Sequence, residues 1–515
     1  MSEQRTGRLR KRLLQVAGIL TGAGVLMLMP LYFEDAFFNI NRSKVHILLA
    51  VTPWTLGALV LALLLSGQAA ARIRNTRREL GMLGALLVCC VLACAMAEFE
   101  PAVLTGSEGR QGGLWVMGAS ILTGMGLLLV PECAGICCGT AVFSGVLVAS
   151  LGILNGMGLD PLGFYREIQS GQEVVFLSTI GNYDIYGAYL LTVLGVAAGF
   201  SLRGKHRSQR ILGSLAAVVI CLGACASRTD SVVLGLQILF AAGLSLSRTP
   251  EEGRRILGLW SFSWICFPLT WWMQMTFSPY PVRFSGIFGL LAESHAGIAG
   301  ALLLSGMAVY AGSRKTWPDG RRRALVLGVG SLCLILAIAA VMGLAAFLPD
   351  EARLDAFRFD DSFGSRRGFI WIRVLQAYRD FPPANKLAGQ GLELTRRLTN
   401  AYTENTAGRL GGRVVYNDAH CHFLQMLLTT GVLGLAAYVG VYVMSIRVLL
   451  SGKKENPACI CALLAMAGYL IVMAINVMQP VLTTTYFALL GCGCAAARGL
   501  PGESGGKDEH EARLL

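Results

Sequence analysis

Apolar and polar positions alternate along this chain in long blocks, not in short periods. Uninterrupted apolar runs of about 17 to 25 residues recur from Leu13 towards the C-terminus, each long enough to cross a hydrocarbon core as a helix. About 14 are discernible, roughly 13-33, 46-66, 80-97, 112-130, 133-154, 183-201, 211-226, 231-247, 256-275, 287-311, 324-348, 423-446, 459-479 and 481-497. Strands of a membrane barrel are short and alternating, whereas these runs are continuous and rich in Leu, Ala and Gly, so the pattern predicts helices. The first run is longer than a signal-peptide core and lacks a convincing cleavage site, so it is expected to be retained. One polar block interrupts the rhythm between the eleventh and twelfth runs. The predicted organisation is therefore transmembrane helices 1-11 with short loops over residues 1-348, an extracytoplasmic loop over 349-421, transmembrane helices 12-14 over 422-497 and a polar cytoplasmic tail over 498-515. The expected fold class is all-α, a polytopic membrane protein of about 14 transmembrane helices with one large extracytoplasmic loop.

Composition agrees with this pattern. Of the 515 residues, 54% are hydrophobic and 15% charged, and the mean hydropathy is +0.58, far from a soluble average. The net charge of +13 raises the question of nucleic acid, but its placement answers it. Basic clusters fall at RTGRLRKR (5-12), ARIRNTRR (71-78), RGKHRSQR (203-210), RR (254-255), SRKTWPDGRRR (313-323) and RVLLSGKK (447-454). These are a terminus and alternate loops, the positive-inside arrangement of a membrane protein. With 14 spans and both termini in the cytoplasm, every cluster lies inside and EFEPAVLTGSEG (98-109) lies outside. The 15 cysteines are scattered, nearly all within spans, with no metal-ligand spacing beside histidines. Packing is the preferred reading for them, and only Cys421 is expected near water.

Ionisable residues inside spans mark ion pathways, and here they are nearly absent. Glu293 and His295 sit near the outer end of one run, and Asn476 and Gln479 near the outer end of another. That disfavours an ion-coupled transporter. The remaining polar motifs gather on the outer side: Arg166, STIGNYDIYGAY (178-189), SRTD (227-230), PYPVRFSG (279-286) and the large loop. Arginine outside runs against the positive-inside bias, so Arg228 is either snorkelling to headgroups or clamping a phosphate with its planar fork. In the large loop, GSRRGFIWIRVLQAY (364-378) reads as an amphipathic helix, with Ser365 a candidate N-cap. Phe369, Ile370 and Trp371 are expected at the membrane interface, and Arg366 and Arg373 on one face with Arg367 pointing elsewhere. FPP (381-383) ends that helix, GQG (389-391) is a tight turn, and 395-416 is expected to be polar and mobile. Asp360 and Asp361 read as solvated aspartates in preference to a divalent-ion site. His420 stands where the chain re-enters the membrane, as a helix cap, a base or a phosphate ligand.

The order of these motifs resembles the O-antigen ligase family, multi-pass bacterial membrane proteins that include lipopolysaccharide O-antigen ligases and related polysaccharide polymerases. The resemblance is strongest in 364-439, through GSRRGFIW, KLAGQG and DAHCHFLQMLLTTGVLGLAAY, and extends to STIGNYDIYGAYLL and SRTDSVVLG. It implies catalytic roles for His420, Arg228 and Arg367, with Arg366, Arg373, Asn182 and Asp418 binding substrate. It further implies a donor glycan on undecaprenyl diphosphate, a glycan or lipid acceptor, and transfer at the outer face of the bacterial cytoplasmic membrane. No metal, cofactor or nucleic acid is expected. Cys421 and His422 depart from the family pattern, which commonly has Asn and then an acidic residue there, and the span count exceeds the family's commonest one. Ligase and polymerase share this chemistry and are not separated. A lipid-linked glycan flippase is the alternative of a different class, disfavoured by the missing intramembrane charge and by the large Arg- and His-bearing loop.

Overall fold

The computed structural model describes residues 2-317, 359-403, 416-452 and 456-499, apart from 38, 108, 169-171, 362 and 477. Among the described residues, eleven helices are long and apolar enough to cross a membrane. In chain order, α1 (Arg12–Leu31), α2 (Ile40–Leu65) and α3 (Arg77–Met96) lead to the shorter apolar α4 (Leu114–Leu128). Then come α5 (Pro131–Gly156), α6 (Tyr183–Arg203) and α7 (Arg207–Cys225), the shorter α8 (Asp230–Leu246), and α9 (Pro250–Phe277). The expected run 287-311 is broken into α10 (Gly286–Glu293) and α11 (Ala296–Ser313). Between them Ser294 leaves the helical region and its hydroxyl accepts from the Ala296 amide at 3.2 Å, starting the second piece afresh. The run at 324-348 lies outside the described residues. In the large polar block stand α12 (Phe363–Asp380), α13 (Pro383–Ala388) and α14 (Thr395–Thr403). The chain closes with α15 (His422–Ser451), α16 (Pro457–Ile475) and α17 (Pro480–Arg498). The only described strands are the two-residue β1 (Phe176–Leu177) and β2 (Gly181–Asn182), paired antiparallel. The chain is an all-α polytopic membrane protein.

α6 and α17 are the central helices, with the whole apolar window of each buried. Small residues allow this. A Cβ at Gly195 would lie 2.3 Å from the Ala465 nitrogen, and one at Gly199 2.6 Å from the Cys461 Cα. α6 and α16 can therefore approach backbone to backbone, which is how membrane helices gain packing energy without a hydrophobic driving force between them. Because α6 is central, its first residues stand in the middle of one end of the bundle. At the opposite end, where α6 finishes, ion pairs tie helix ends together: Arg72–Glu132 at 2.6 Å, Arg203–Glu252 at 3.3 Å, and Arg498 Nε to Glu79 at 2.7 Å.

The polar block packs against the bundle through a core of its own. Phe369, Ile370, Val374, Ala377 and Phe381 of α12 and its end bury against Tyr416, Ala419 and Leu428. This corrects the interfacial reading of Phe369 and Ile370, which are 0% and 5% exposed; Trp371 donates from its indole N–H to the Ala419 carbonyl at 3.0 Å. The residues are apolar because they cement α12 to the start of α15. α12 does stop before the double proline, as expected of residues that cannot extend a helix. Its start lies at Phe363, not after Ser365, whose side chain is not among those described. Part of the stretch expected to be mobile, 395-403, is the helix α14 with Thr395 and Thr399 buried; 404-415 lies outside the described residues.

α15 is bent at Gly431, whose φ of 68° is left-handed. The bend frees the Thr429 carbonyl, and the GQG turn occupies it: Gln390 and Gly391 amides donate to it at 3.2 and 3.1 Å. A Cβ at Gly431 would meet the Leu387 carbonyl at 2.3 Å. GQG is thus a splint that fixes α13 to the kink, with its donors used internally.

Candidate functional site

The most ordered polar arrangement at the end where α6 begins is centred on Asp418. This carboxylate is 4% exposed. Its Oδ1 accepts from the His420 backbone amide at 2.9 Å and lies 2.6 Å from His420 Nδ1. Its Oδ2 lies 2.7 Å from Arg110 Nε. Burial alone would push the Asp418 carboxyl up; the His420 hydrogen bond and the Arg110 charge together hold it below the usual carboxylate range. An ionised Asp418 fixes Nδ1 of the imidazole as the protonated nitrogen, which leaves Nε2 free to accept a proton. His420 itself is half-buried with φ 45°. This is the relationship of an acid–base histidine to its orienting carboxylate.

The predicted arginines approach the same place. Arg367 donates from Nε to the Ile475 carbonyl at 3.0 Å and from Nη1 to the Gly364 carbonyl at 3.1 Å. Arg228 donates to the Val174 carbonyl and stands at φ 58°. Tyr183, the first residue of α6, lies within electrostatic reach of both Arg228 and Arg367. Its neighbour Asp184 lies within reach of Arg367, His420 and Arg110. The start of α6 thus joins all three residues of the expected catalytic set. Neither Arg228 nor Arg367 has an ion-pair partner among the described residues; main-chain dipoles hold them. Burial lowers the Arg228 pKa, with Tyr165 and Tyr183 acting the other way, and a guanidinium in such a site stays charged. Arg228, Arg366, Glu393 and His420 all have positive φ. Non-glycine residues at such angles cost roughly 1–3 kcal/mol and gather at functional sites.

The expected substrate-binding residues divide. Arg373 is occupied: it pairs with Asp361, with Nη2–Oδ2 at 3.0 Å, and lies 4.1 Å over the Phe369 ring. That leaves it a structural residue, and it leaves Asp361 neutralised. Arg366 is exposed and irregular, with φ 72°, so it does not share the environment of Arg373. Asn182 caps α6, its Oδ1 accepting from the Asp184 amide at 2.9 Å, which leaves only its amide N–H groups available. Asp418 orients His420 and Arg110 and has no free face for substrate.

Several partners were not legible beforehand. Arg110 comes from the segment between α3 and α4, where it reads as one more loop cation. The same segment holds the polar block through Ser107, whose hydroxyl donates to Glu393 at 2.8 Å, and through Glu100, which pairs with Arg397. Burial raises Glu393 to about 6. Tyr165 lies near Arg228 with its hydroxyl buried and unpartnered, and burial raises its pKa, so it stays a neutral donor. One cysteine expectation needs correction. Cys421 is 9% exposed, so it is buried and does not stand in water. Cys221, Cys225 and Cys266 bring their thiols within 4.8 Å of one another, the one such group of metal-capable side chains among the described residues. All three are buried near the C-terminal end of α7, where thiolates would add negative charge to an apolar setting already at the negative end of a helix dipole. Packing thiols remain the better account.

Residues 282–439 match the family model described as O-antigen ligase. The matched interval holds Arg367, Asp418 and His420, while Arg228, Arg110 and the start of α6 lie outside it. No curated protein matches the chain. Over that interval the chain is similar to the O-antigen ligase family, in agreement with the motif order read from the sequence, and its long apolar helices are those of a multi-pass membrane protein.

Proposed function

We propose that this protein transfers a glycan from undecaprenyl diphosphate to an acceptor hydroxyl at the outer face of the cytoplasmic membrane. One observation carries the reading: the start of α6 lies within electrostatic reach of Arg228 and Arg367, neither of which has an ion-pair partner among the described residues, and of a histidine already oriented by a carboxylate. The acceptor oxygen attacks the anomeric carbon. The bond from that carbon to the diphosphate oxygen breaks, and its electron pair goes to the diphosphate. Arg228 and Arg367 stabilise the charge as it develops, and such stabilisation is stronger in a low-dielectric setting. The hydroxyl proton passes to Nε2 of His420. Arg366, exposed beside Arg367, meets the outer phosphate or the first sugar. Purified protein given an undecaprenyl-diphosphate oligosaccharide and acceptor glycan should release undecaprenyl diphosphate as product forms, and turnover should survive EDTA because arginines supply the positive charge. No release would overturn the reading; loss on EDTA restored by one divalent ion would overturn the metal-independent form of it.

The orientation follows from the same proposal. Counting the run at 324-348, the chain has 14 spans with both termini cytoplasmic, 349-421 outside as the catalytic loop and 498-515 as an inner tail. The positive-inside distribution supports this. In a variant whose native cysteines are replaced, an impermeant thiol reagent added to intact cells should label Glu404→Cys and leave His206→Cys unlabelled. Labelling at 206 in sealed cells would invert or break the arrangement.

A further inference from the structure

At the end of the bundle away from Asp418, a cleft of about 640 Å³ lies between α5 and α7. None of the chemistry above uses it. Its walls are Gly135, Gly139, Val142 and Val146 of α5 and Leu212 and Ala216 of α7. Residues four apart share a helix face, so each wall is a continuous apolar strip. The glycines make the space. A Cβ at Gly135 or Gly139 would meet no atom within 4 Å, whereas Gly195 and Gly199 let two helices touch. Phe143 and Leu212 in the lining are 56% and 64% exposed, so the cleft opens sideways, towards the lipid around the bundle. From Gly135 to Val146 the α5 wall rises about 16 Å at 1.5 Å per residue. That is close to half of a hydrocarbon core about 30 Å thick, so the apolar part is one leaflet deep.

The mouth of the cleft is basic. Lys205, His206 and Ser208, from the α6–α7 turn and the start of α7, line it, and no carboxylate does. Other cations at this end are paired: Arg72 with Glu132, Arg203 with Glu252 and Arg255 with Glu251. Lys205 and the adjacent Arg207 are exposed and have no carboxylate within ion-pair distance among the described residues. α7 also starts here without a side-chain cap, so the positive end of its dipole adds to the same field. Free cations above an apolar strip one leaflet deep complement one kind of molecule, an anionic headgroup joined to an acyl chain. A free phosphate would leave the strip uncovered, and a zwitterionic headgroup brings a cation that Lys205 and Arg207 repel. We infer that this cleft binds an anionic phospholipid, with its phosphate at Lys205 and Arg207 and one acyl chain lying over Gly135 and Gly139 between α5 and α7. That the lipid belongs to the inner leaflet rests on the orientation proposed above; the cleft and its charge do not.

The test counts bound lipid by native mass spectrometry. Full-length protein in detergent, stripped of lipid, is titrated with phosphatidylglycerol or with phosphatidylethanolamine of identical acyl chains. Phosphatidylglycerol should bind on the order of tenfold more tightly, the scale of two cations near one anionic headgroup. In the double variant Lys205→Gln, Arg207→Gln the two lipids should bind alike; both positions are exposed, so the fold is kept. Gly139→Leu should weaken binding of both lipids, because its side chain enters space that is open at the Cβ. A melting temperature equal to wild type separates that loss from misfolding, and the charge variant decides if Gly139→Leu melts early. Excess inorganic phosphate should not displace the lipid. Equal binding of the two lipids to wild type would make the cleft an unselective part of the lipid shell and overturn the assignment. So would a preference that survives in the double variant, displacement by phosphate, or unchanged binding in a stable Gly139→Leu. No turnover is read and none of these residues touches the Asp418 centre, so failure here leaves the transfer reaction standing.

Discussion

Arg228→Ala and Arg367→Ala will each lower turnover by about 10²-fold or more at equal membrane expression, the scale for losing one charge-stabilising group in a transition state. The expectation rests on what holds these side chains. Arg367 is anchored by the carbonyls of Ile475 and Gly364 and Arg228 by that of Val174. Carbonyls fix a guanidinium in place but leave its charge uncancelled. Lysine at either position should restore only part of the rate, since it keeps the charge and loses the planar fork. Arg373 is the internal contrast. Its charge is spent on Asp361 and its plane on Phe369, so Arg373→Ala should lower the melting temperature through lost packing of α12, with turnover of the folded fraction retained. Arg396→Ala, at an exposed position of α14, should change neither. Near-normal turnover in the Arg228 and Arg367 alanine variants would remove both from the reaction.

The contrast between these arginines also shows where the sequence is legible. Arg228, Arg367 and Arg373 look alike in the chain, as cations in polar segments next to spans. The difference lies in whether a carboxylate is folded against each one, and Asp361 reaches Arg373 only because α12 begins at Phe363 and turns its first residues back. Spans are legible because their signal is local: twenty apolar residues in a row need no partner to be recognised. Even so, hydropathy does not show the kink at Gly431, whereas the break at Ser294 is marked only by the polar triplet Glu293, Ser294 and His295 inside an otherwise apolar run. The hydrophobic face of α12 was legible as apolar but not as to its partner. A membrane interface and a small protein core select the same residues, Phe369 and Ile370. Arg110 was the hardest to see, because it lies 308 positions from Asp418 and nothing near it in sequence marks it.

That pair sets up the second large effect. His420→Ala should reduce turnover by roughly 10²–10⁴-fold, the range for a positioned general base, and His420→Gln should be as damaging, because glutamine donates and accepts hydrogen bonds but takes no proton. The decisive measurement is a double-mutant cycle in turnover. Asp418 Oδ1 lies 2.6 Å from Nδ1, so Asp418→Asn removes the anion that fixes the tautomer and should lower the maximal rate strongly, while His420→Ala combined with Asp418→Asn should fall little below His420→Ala alone, because the carboxylate acts through the imidazole. Arg110→Gln removes the cation 2.7 Å from Oδ2 but leaves the carboxylate against the ring, so it should cost less than Asp418→Asn. Loosened packing would give losses that add in the double variant. Near-normal turnover in His420→Gln would show that His420 is not the base and would return it to the role of a diphosphate ligand.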